Sequence, residues 1–525
     1  MKSVMQQRFS EVPNVEIPRS NFTRSHGHKT TFDAGYLVPI FVDEALPGDT
    51  FKLNMTGFGR LSTPTYPVMD NLILDTFFFA VPNRLVWDNW VKFCGEQVDP
   101  GDSIAFTVPQ IPLTNIANET LYDYFGIPTK VANQLDVNNL VGRAYNLIWN
   151  EWFRDENLQD SVTVDRDNGP DTPADYVILK RGKRHDYFTS ALPWLQKGDA
   201  VQLSLGTEAP ITGIGFDTTP APGGPITARE TDQSPTTQSY TGYENASSGN
   251  VVVEEDPGTA GWPNIHADLS NATASTVNEL RQAVQVQRLL ERDARAGTRY
   301  TEIIQSHFGV TSPDSRLQRP EYLGGGSTPV NISPIARTDS SPGELGAMGT
   351  MGFRNHGFVK SFTEHSIIIG LACVRADLTY QEGLDRMWSR QTRYDFYWPT
   401  LAHLGEQSVL NKEIYADGTS NDEDVFGYQE RYAEYKYKAS KITGKFRSND
   451  AASLDAWHLA IEFGSLPTLD ATFIQENPPV DRVIVTPTEP HFIFDSYIQM
   501  ECTRPMPTYS IPGFKIGRAS CRERV

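Results

Sequence analysis

The residues best able to do chemistry in this chain fall into a few small groups, each pointing to a different ligand or reaction. Gly324, Gly325 and Gly326, followed by Ser327 and Thr328, have the glycine density of a loop whose backbone N–H groups surround a phosphate. Such a loop also needs a lysine, and no G-x-x-x-x-G-K-[ST] run occurs. The triplet is therefore read as a turn or a close backbone approach. Gly346, Gly349 and Gly352 are spaced too widely for a dinucleotide fingerprint and are read as a flexible loop. His26 and His28 flank Gly27, but no cysteine lies nearby and no H-E-x-x-H helix accompanies them, so no metal site is assigned. No G-x-S-x-G elbow is present. A glycosidase needs only two carboxylates converging in space, and with 65 Asp and Glu no pair stands out. Neither a catalytic residue nor a cofactor is assigned.

Two groups suit binding rather than catalysis. Lys2, Arg8, Arg19, Arg24 and Lys29 stand against only Glu11 and Glu16 in the first 32 residues. Interleaved with Phe9 and Phe22, these cations have the composition that neutralises phosphates and stacks on bases of a single strand; the same composition fits a solvated terminal tail. The second group is "LDTFFFAVPNRLVWDNWVKFCGE", Leu74 to Glu96, with Phe77, Phe78 and Phe79 in a row and Trp87 and Trp90 soon after. Aromatic rings in this density fill cores or subunit interfaces, and both readings stand, with core packing preferred.

The elements that must position these groups read mostly as strands. Residues 1–35, with Pro13 and Pro18 and no sustained period, are expected to form an extended basic arm. Tyr36–Val42 is a short apolar run, and Phe51, Leu53 and Met55 alternate with polar neighbours, as in a half-buried strand. Phe77–Val81 is an apolar run suited to burial on both faces. After Pro82, Asn83 is placed to cap a short helix with Trp87, Trp90, Val91 and Cys94 on one face and Gly95 as its left-handed stop. Val201, Leu203 and Leu205, the run Ser366–Tyr380, the alternating Tyr435, Tyr437 and Ala439, then Asp481–Val485, His491–Asp495 and Ile498 to Cys502 complete the predicted strands. Leu323–Phe358 is read as irregular. Long segments join these strands, a pattern that favours an antiparallel Greek-key sandwich over a parallel sheet.

Gly206 to Ala274 is dense in Gly, Pro, Ser and Thr and lacks a core-forming pattern, so it is predicted to be a surface insertion. Beyond it, Thr276 and Glu279 form a capping-box pattern, Leu280, Ala283, Val284, Gln287, Leu290 and Ala294 mark a helix face, and Gly297 is the stop.

The totals limit the classes. A net charge of −19 over 525 residues argues against the whole molecule acting as a nucleic-acid binder. Four scattered cysteines without C-x-x-C spacing argue against a disulfide framework and for a reducing compartment. No apolar stretch is long enough for a membrane span, and the Met1 end has no apolar signal region. Residues 516–525, "IGRASCRERV", are read as a non-native tail translated from a sequencing adapter; they carry a net +2, leaving −21 for the rest.

Taken together, "EIPRSNFTRSHGHKTTFDAGYLVPIFVDEALPGDTF", "YPVMDNLILDTFFFAVPNRLVWDNWVKFCGEQ", "LLERDARAGTRYTEIIQSHFGVTSPDSRLQRPEYLGGGSTPVNISPIA" and "TRPMPTYSIPGF" resemble the major capsid proteins of gokushovirus-type microviruses (Microviridae), small tailless bacteriophages with circular single-stranded DNA. The resemblance runs to Phe514 and is interrupted by Gly206–Ala274. It implies an all-β fold: an eight-stranded antiparallel jelly-roll sandwich spanning 36–515, with long loop insertions containing some helices. It also implies a structural, non-enzymatic role in an icosahedral shell of about sixty copies, built through pentamers. The insertion would form a threefold protrusion and contribute to binding a host surface receptor. Implied partners are other copies of the chain, genomic DNA with a separate small basic protein, and scaffolding and pilot proteins. The implied location is the virion, assembled in the bacterial cytoplasm. The competing reading is a carbohydrate-binding or carbohydrate-active β-sandwich protein.

Overall fold

Alternation decides how the main strands sit. Along Thr50–Leu61 the side chains of Phe51, Leu53, Met55 and Leu61 are buried while Lys52, Phe58 and Arg60 face outward, the two-residue period of a strand with one face on a core. Phe492–Arg504 repeats the pattern, with Phe492, Phe494, Ile498, Met500 and Cys502 inward. Ser366–Ala376 differs, because every residue in it is buried. A strand of that kind must be covered on both faces.

The computed structural model describes residues 18–195, 197, 201, 277–336 and 345–509, with the backbone of short strands between 211 and 267. Residues before 196 and after 295 belong to one compact unit, and Gln196–Arg295 form another. Among the described residues of the first unit, ten strands make two antiparallel sheets: β1 (Ser20–Thr23), β2 (His26–Phe32), β3 (Val38–Ala45), β4 (Thr50–Leu61), β5 (Leu72–Pro82), β6 (Glu321–Pro329), β7 (Asn331–Ala336), β8 (Leu345–Ser361), β9 (Ser366–Ala376) and β10 (Phe492–Arg504). In the first sheet β1 and β2 both pair with β10, followed by β4, β8 and β7; the second runs β6–β5–β9–β3. Side chains from both sheets meet in one core, where Phe32, Phe51, Phe492 and Phe494 lie against Leu74, Phe78, Ile368 and Val374.

The second sheet carries a further layer on its other face. There Phe79, Val81, Ile369 and Leu371 pack against residues of the segment that follows β5. That segment contains three helices, α1 (Trp90–Phe93), α2 (Leu121–Tyr124) and α3 (Leu140–Ile148). Helix α3 is nearly all buried, including Arg143, whose guanidinium pairs with Asp171 and donates to the carbonyls of Val86 (3.1 Å) and Asp167 (2.9 Å). A buried charge requires this degree of satisfaction. A third apolar cluster gathers Phe188, Tyr380, Val409, Ile414 and Phe426.

In the second unit, Ile214–Asp217, Gly249–Val253 and Tyr243–Asn245 form a three-stranded antiparallel sheet, and Ile226–Ala228 pairs with Gln238–Tyr240. Helix α4 (Val277–Ala296) ends at Gly297, whose φ of +98° provides the left-handed stop; α5 (Tyr300–Phe308) follows.

Several sequence expectations need correction. The first 35 residues are not all arm: Ser20–Thr23 and His26–Phe32 are strands, with Phe32 opposite Phe492. "HGHKTTF" shows little alternation of its own and takes its strand geometry from the long partner β10. The predicted helix after Pro82 is broken into a 3₁₀ turn at Asn83–Leu85 and the single turn α1, leaving Val91 and Cys94 exposed. Gly95 does take a positive φ.

Leu323–Phe358 holds most of three strands instead of irregular chain, and the supposed loop around Gly346–Gly352 lies within β8. Large side chains compensate for glycine here. Phe353 stacks over Gly57 and Met351 over Gly59, so closely that an added methyl would overlap them. Tyr435–Ala439 is not a strand, because Tyr432 adopts φ +65° and turns the chain into a 3₁₀ helix. Asp481–Val485 is likewise a 3₁₀ turn followed by one bridge from Ile484 to Pro64. Leu203, Leu205 and the tail 516–525 lie outside the described residues.

Candidate functional site

Of the five predicted phosphate-binding cations, the three among the described residues each have a separate partner. Arg24 meets Asp43 at 2.5 Å from the edge of the first sheet, and Lys29 meets Asp495 at 2.7 Å across the β2–β10 pair. Arg19 donates to the carbonyl oxygen of Gly48. Lys2 and Arg8 lie outside the described residues. Exposed ion pairs of this kind contribute at most about 1 kcal/mol.

The aromatic group lies mainly in the chain's own core, for a reason already visible in strand geometry. Successive residues of β5 point to opposite faces, so Phe78 enters the inter-sheet core while Phe77 and Phe79 turn to the outer layer and meet Phe153, 5.2 and 5.9 Å between ring centroids. Trp87 is 0% exposed, and its indole N–H donates to Asn168 Oδ1 at 2.9 Å. Trp90 is half-buried against Trp87, Phe93 and His365.

Sequence reasoning missed a different aromatic belt. Residues 388–398 hold Trp388, Tyr394, Phe396, Tyr397 and Trp398, all exposed, with Trp388 at 67% and Tyr394 at 65%. Three 3₁₀ turns, Arg386–Trp388, Arg393–Asp395 and Pro399–Leu401, set the path. Asp395 fixes one of them: its carboxylate accepts from the backbone N–H groups of Thr392 (2.6 Å) and Gln391 (3.0 Å), which hold its pKa below the usual carboxylate range.

Arginines bind the rings together. The Arg390 guanidinium lies 4.3 Å from the centre of Tyr435, and Arg393 lies 4.7 Å from that of Trp398, at cation–π distance. Tyr397 packs edge-on against Tyr432 at 5.0 Å. Beneath them Glu413 is buried, accepting from Arg386 (2.9 Å), the Tyr187 hydroxyl (2.9 Å) and the Leu410 N–H (3.0 Å); burial raises its pKa. No helical or strand period runs through "RMWSRQTRYDFYWP". The signal available was composition alone: five rings in eleven residues beside three arginines.

Such a surface can do little as a catalyst but much as a contact. Tyr, Trp and Arg dominate the binding energy of protein interfaces. Among the described residues, no group of three His, Cys, Asp or Glu side chains is placed to hold a metal, and no helix is long and apolar enough to cross a membrane.

Comparison with known proteins points the same way. A family model described as "Capsid protein (F protein)" matches residues 10–514. The capsid protein VP1 of Bdellovibrio phage phiMH2K is 50% identical, with 97% of each chain aligned. That of Chlamydia phage 1 is 44% identical over 98% of this chain and 99% of the relative, and that of Spiroplasma virus 4 is 37% identical over 97% of each.

Proposed function

This chain belongs to the phage capsid protein (F protein) family, a structural and non-enzymatic class, and we propose that it is the repeating subunit of an icosahedral shell around a single-stranded DNA genome. The observation that carries this reading is the belt at 388–398. Both faces of the second sheet are covered within the chain, yet five rings remain outside, held in place by arginines and turns. An exposed aromatic surface of this density suits contact with other proteins, and copies of the chain are the partners a shell requires. The structural class removes the carbohydrate-active alternative.

The order of strands supports the finer fold reading. Omitting the short β1 and β7, the sheets run β2–β10–β4–β8 and β3–β9–β5–β6. Passing from β2 to β10, the chain changes sheet at every connection except β5 to β6. That crossing pattern is the one expected of an eight-stranded double Greek key, the jelly roll common in viral shells, and it supports that reading. The one same-sheet connection carries, in sequence, the α1–α3 layer and then the Gly206–Ala274 insertion. The insertion's Gly/Pro/Ser/Thr-rich sequence is assigned to a protrusion that contributes to host attachment. The genome, a small basic protein, scaffolding and pilot proteins complete the proposed partners, in particles assembled in the host cytoplasm.

Electron microscopy and sedimentation of purified protein test the reading. Pentamers or closed particles are expected, and monodisperse monomers across salt and pH would overturn it. Removing Gly206–Ala274 is expected to spare folding and assembly while abolishing attachment to host cells; loss of soluble folded protein would reject the insertion's assignment.

A further inference from the structure

A cleft of about 640 Å³ opens beside β5 in the first unit, within the volume range of small-molecule sites. Its apolar wall is built from the outward rings of β5, Phe77 and Phe79, with Phe153, Trp152 and Tyr322. Tyr322 is 42% exposed and tilts against Phe79 at 5.5 Å and Trp152 at 6.1 Å, so its ring is fixed from behind and open in front. Arg319 lies 4.2 Å from the Trp152 ring.

The polar wall is cationic in a chain of net charge −19. Arg154, Arg181, Lys183, Arg184 and Arg299 line it, with His185, against the carboxylates Asp155 and Glu302. Arg181 is matched by Asp75 at 2.6 Å, and Arg299 by Glu156. Asp155 caps its own turn through the N–H groups of Asn157 and Leu158. Arg154, Lys183 and Arg184 have no carboxylate at ion-pair distance among the described residues. Arg154 and Arg299 also each keep a buried Nε–H without an acceptor. Lys183 lies 4.5 Å from the Phe473 ring and is largely desolvated, which lowers its pKa; an arriving anion would offset that penalty.

We propose that this cleft binds an unpaired nucleotide of a single-stranded nucleic acid, its base stacked on Tyr322 and its phosphate held by Arg154, Lys183 and Arg184. An acidic peptide would satisfy the cations but leave the rings without a partner, and a duplex hides the base faces that stacking requires. The inference rests on the shell reading for its ligand, because a shell around single-stranded DNA offers unpaired bases at high local concentration.

Fluorescence anisotropy on the full chain tests it, using labelled oligothymidylate of about fifteen residues, an abasic strand of equal length and a duplex as probes. The oligothymidylate is expected to bind tightest. Arg184→Glu, a change at an exposed position, is expected to weaken it and to lower the log–log salt slope by about 0.7 for one lost phosphate contact. Tyr322→Ala, with Tyr322→Leu as a better-packed second variant, is expected to reduce oligothymidylate affinity about tenfold while leaving the abasic strand unchanged. Equal affinity for the thymidylate and abasic strands overturns the proposal, as does wild-type binding by Arg184→Glu or displacement by polyglutamate at equal charge. Sedimentation of the same samples separates the two readings. Particles without oligonucleotide binding reject the cleft alone, and binding without particles rejects the shell.

Discussion

Two stretches of this chain are rich in aromatic rings and end in opposite environments. Between Leu74 and Val81 the rings of Phe77, Phe78 and Phe79 follow a strand, so neighbours part to opposite faces of the sheet and each face has its own cover. Between Trp388 and Trp398 the chain moves through 3₁₀ turns, and arginines and tyrosines support the rings from one side only. Ring density therefore reports the need for a partner and not where the partner comes from. Backbone geometry settles that: an extended segment inside a sheet delivers its side chains to its own core, whereas successive turns display them.

The contrast is open to experiment. The largest stability effect is expected from Phe78→Ala in the inter-sheet core. Emptying that space costs about 3–5 kcal/mol, measurable by urea unfolding of unassembled protein, and a loss under about 1 kcal/mol would show that the core collapses around the gap. Trp87→Phe keeps much of the apolar volume but leaves Asn168 without its indole donor, so a smaller loss of about 1–2 kcal/mol is expected.

A pH series sharpens the contrast from the buried side. His356 stacks on Phe353 at 4.1 Å and hydrogen-bonds Thr76, and burial lowers its pKa from 6.5. The folded state therefore prefers the neutral ring, and the unfolded chain binds more protons below that value. The contribution is complete above pH 6.5 and declines as the pH falls from there towards the lower folded value. His356→Gln is expected to flatten stability against pH in this window relative to wild type, and parallel curves would reject the assignment. Smallest in stability is the pair Trp388→Ser and Phe396→Ser, expected to change unfolding free energy by less than about 0.5 kcal/mol while abolishing particle formation. Intact particles from that variant would break the comparison.

Much of the sandwich was legible because β4, β9 and β10 carry their environment in their own pattern. Strand β8 was not, since Gly346, Gly349 and Gly352 suggest a loop to any local reading. The strand becomes intelligible only once Phe353 and Met351 are seen filling the space over Gly57 and Gly59, nearly 300 residues away. β2 was hidden for a similar reason, its order being supplied by β10. The converse error came at Tyr435–Ala439, where regular alternation was overridden by the left-handed residue Tyr432. Of the candidate surfaces, the basic N-terminal composition was easy to notice but, where described, Arg24 and Lys29 face local carboxylates. The exposed belt was overlooked because residues held in turns show no period.

The position of β10 has a consequence for the order of events in the cell. Between β2 and β4 lies a slot that Phe492–Arg504 fills, so a ribosome must translate as far as that strand before the first sheet can zip shut. Until then both flanking strands present bare edges, and the pairing that closes them spans more than 430 residues of sequence, a slow kind of closure. A chain that stops before Phe492 therefore lacks the strand that joins β2 to β4 and cannot complete its first sheet.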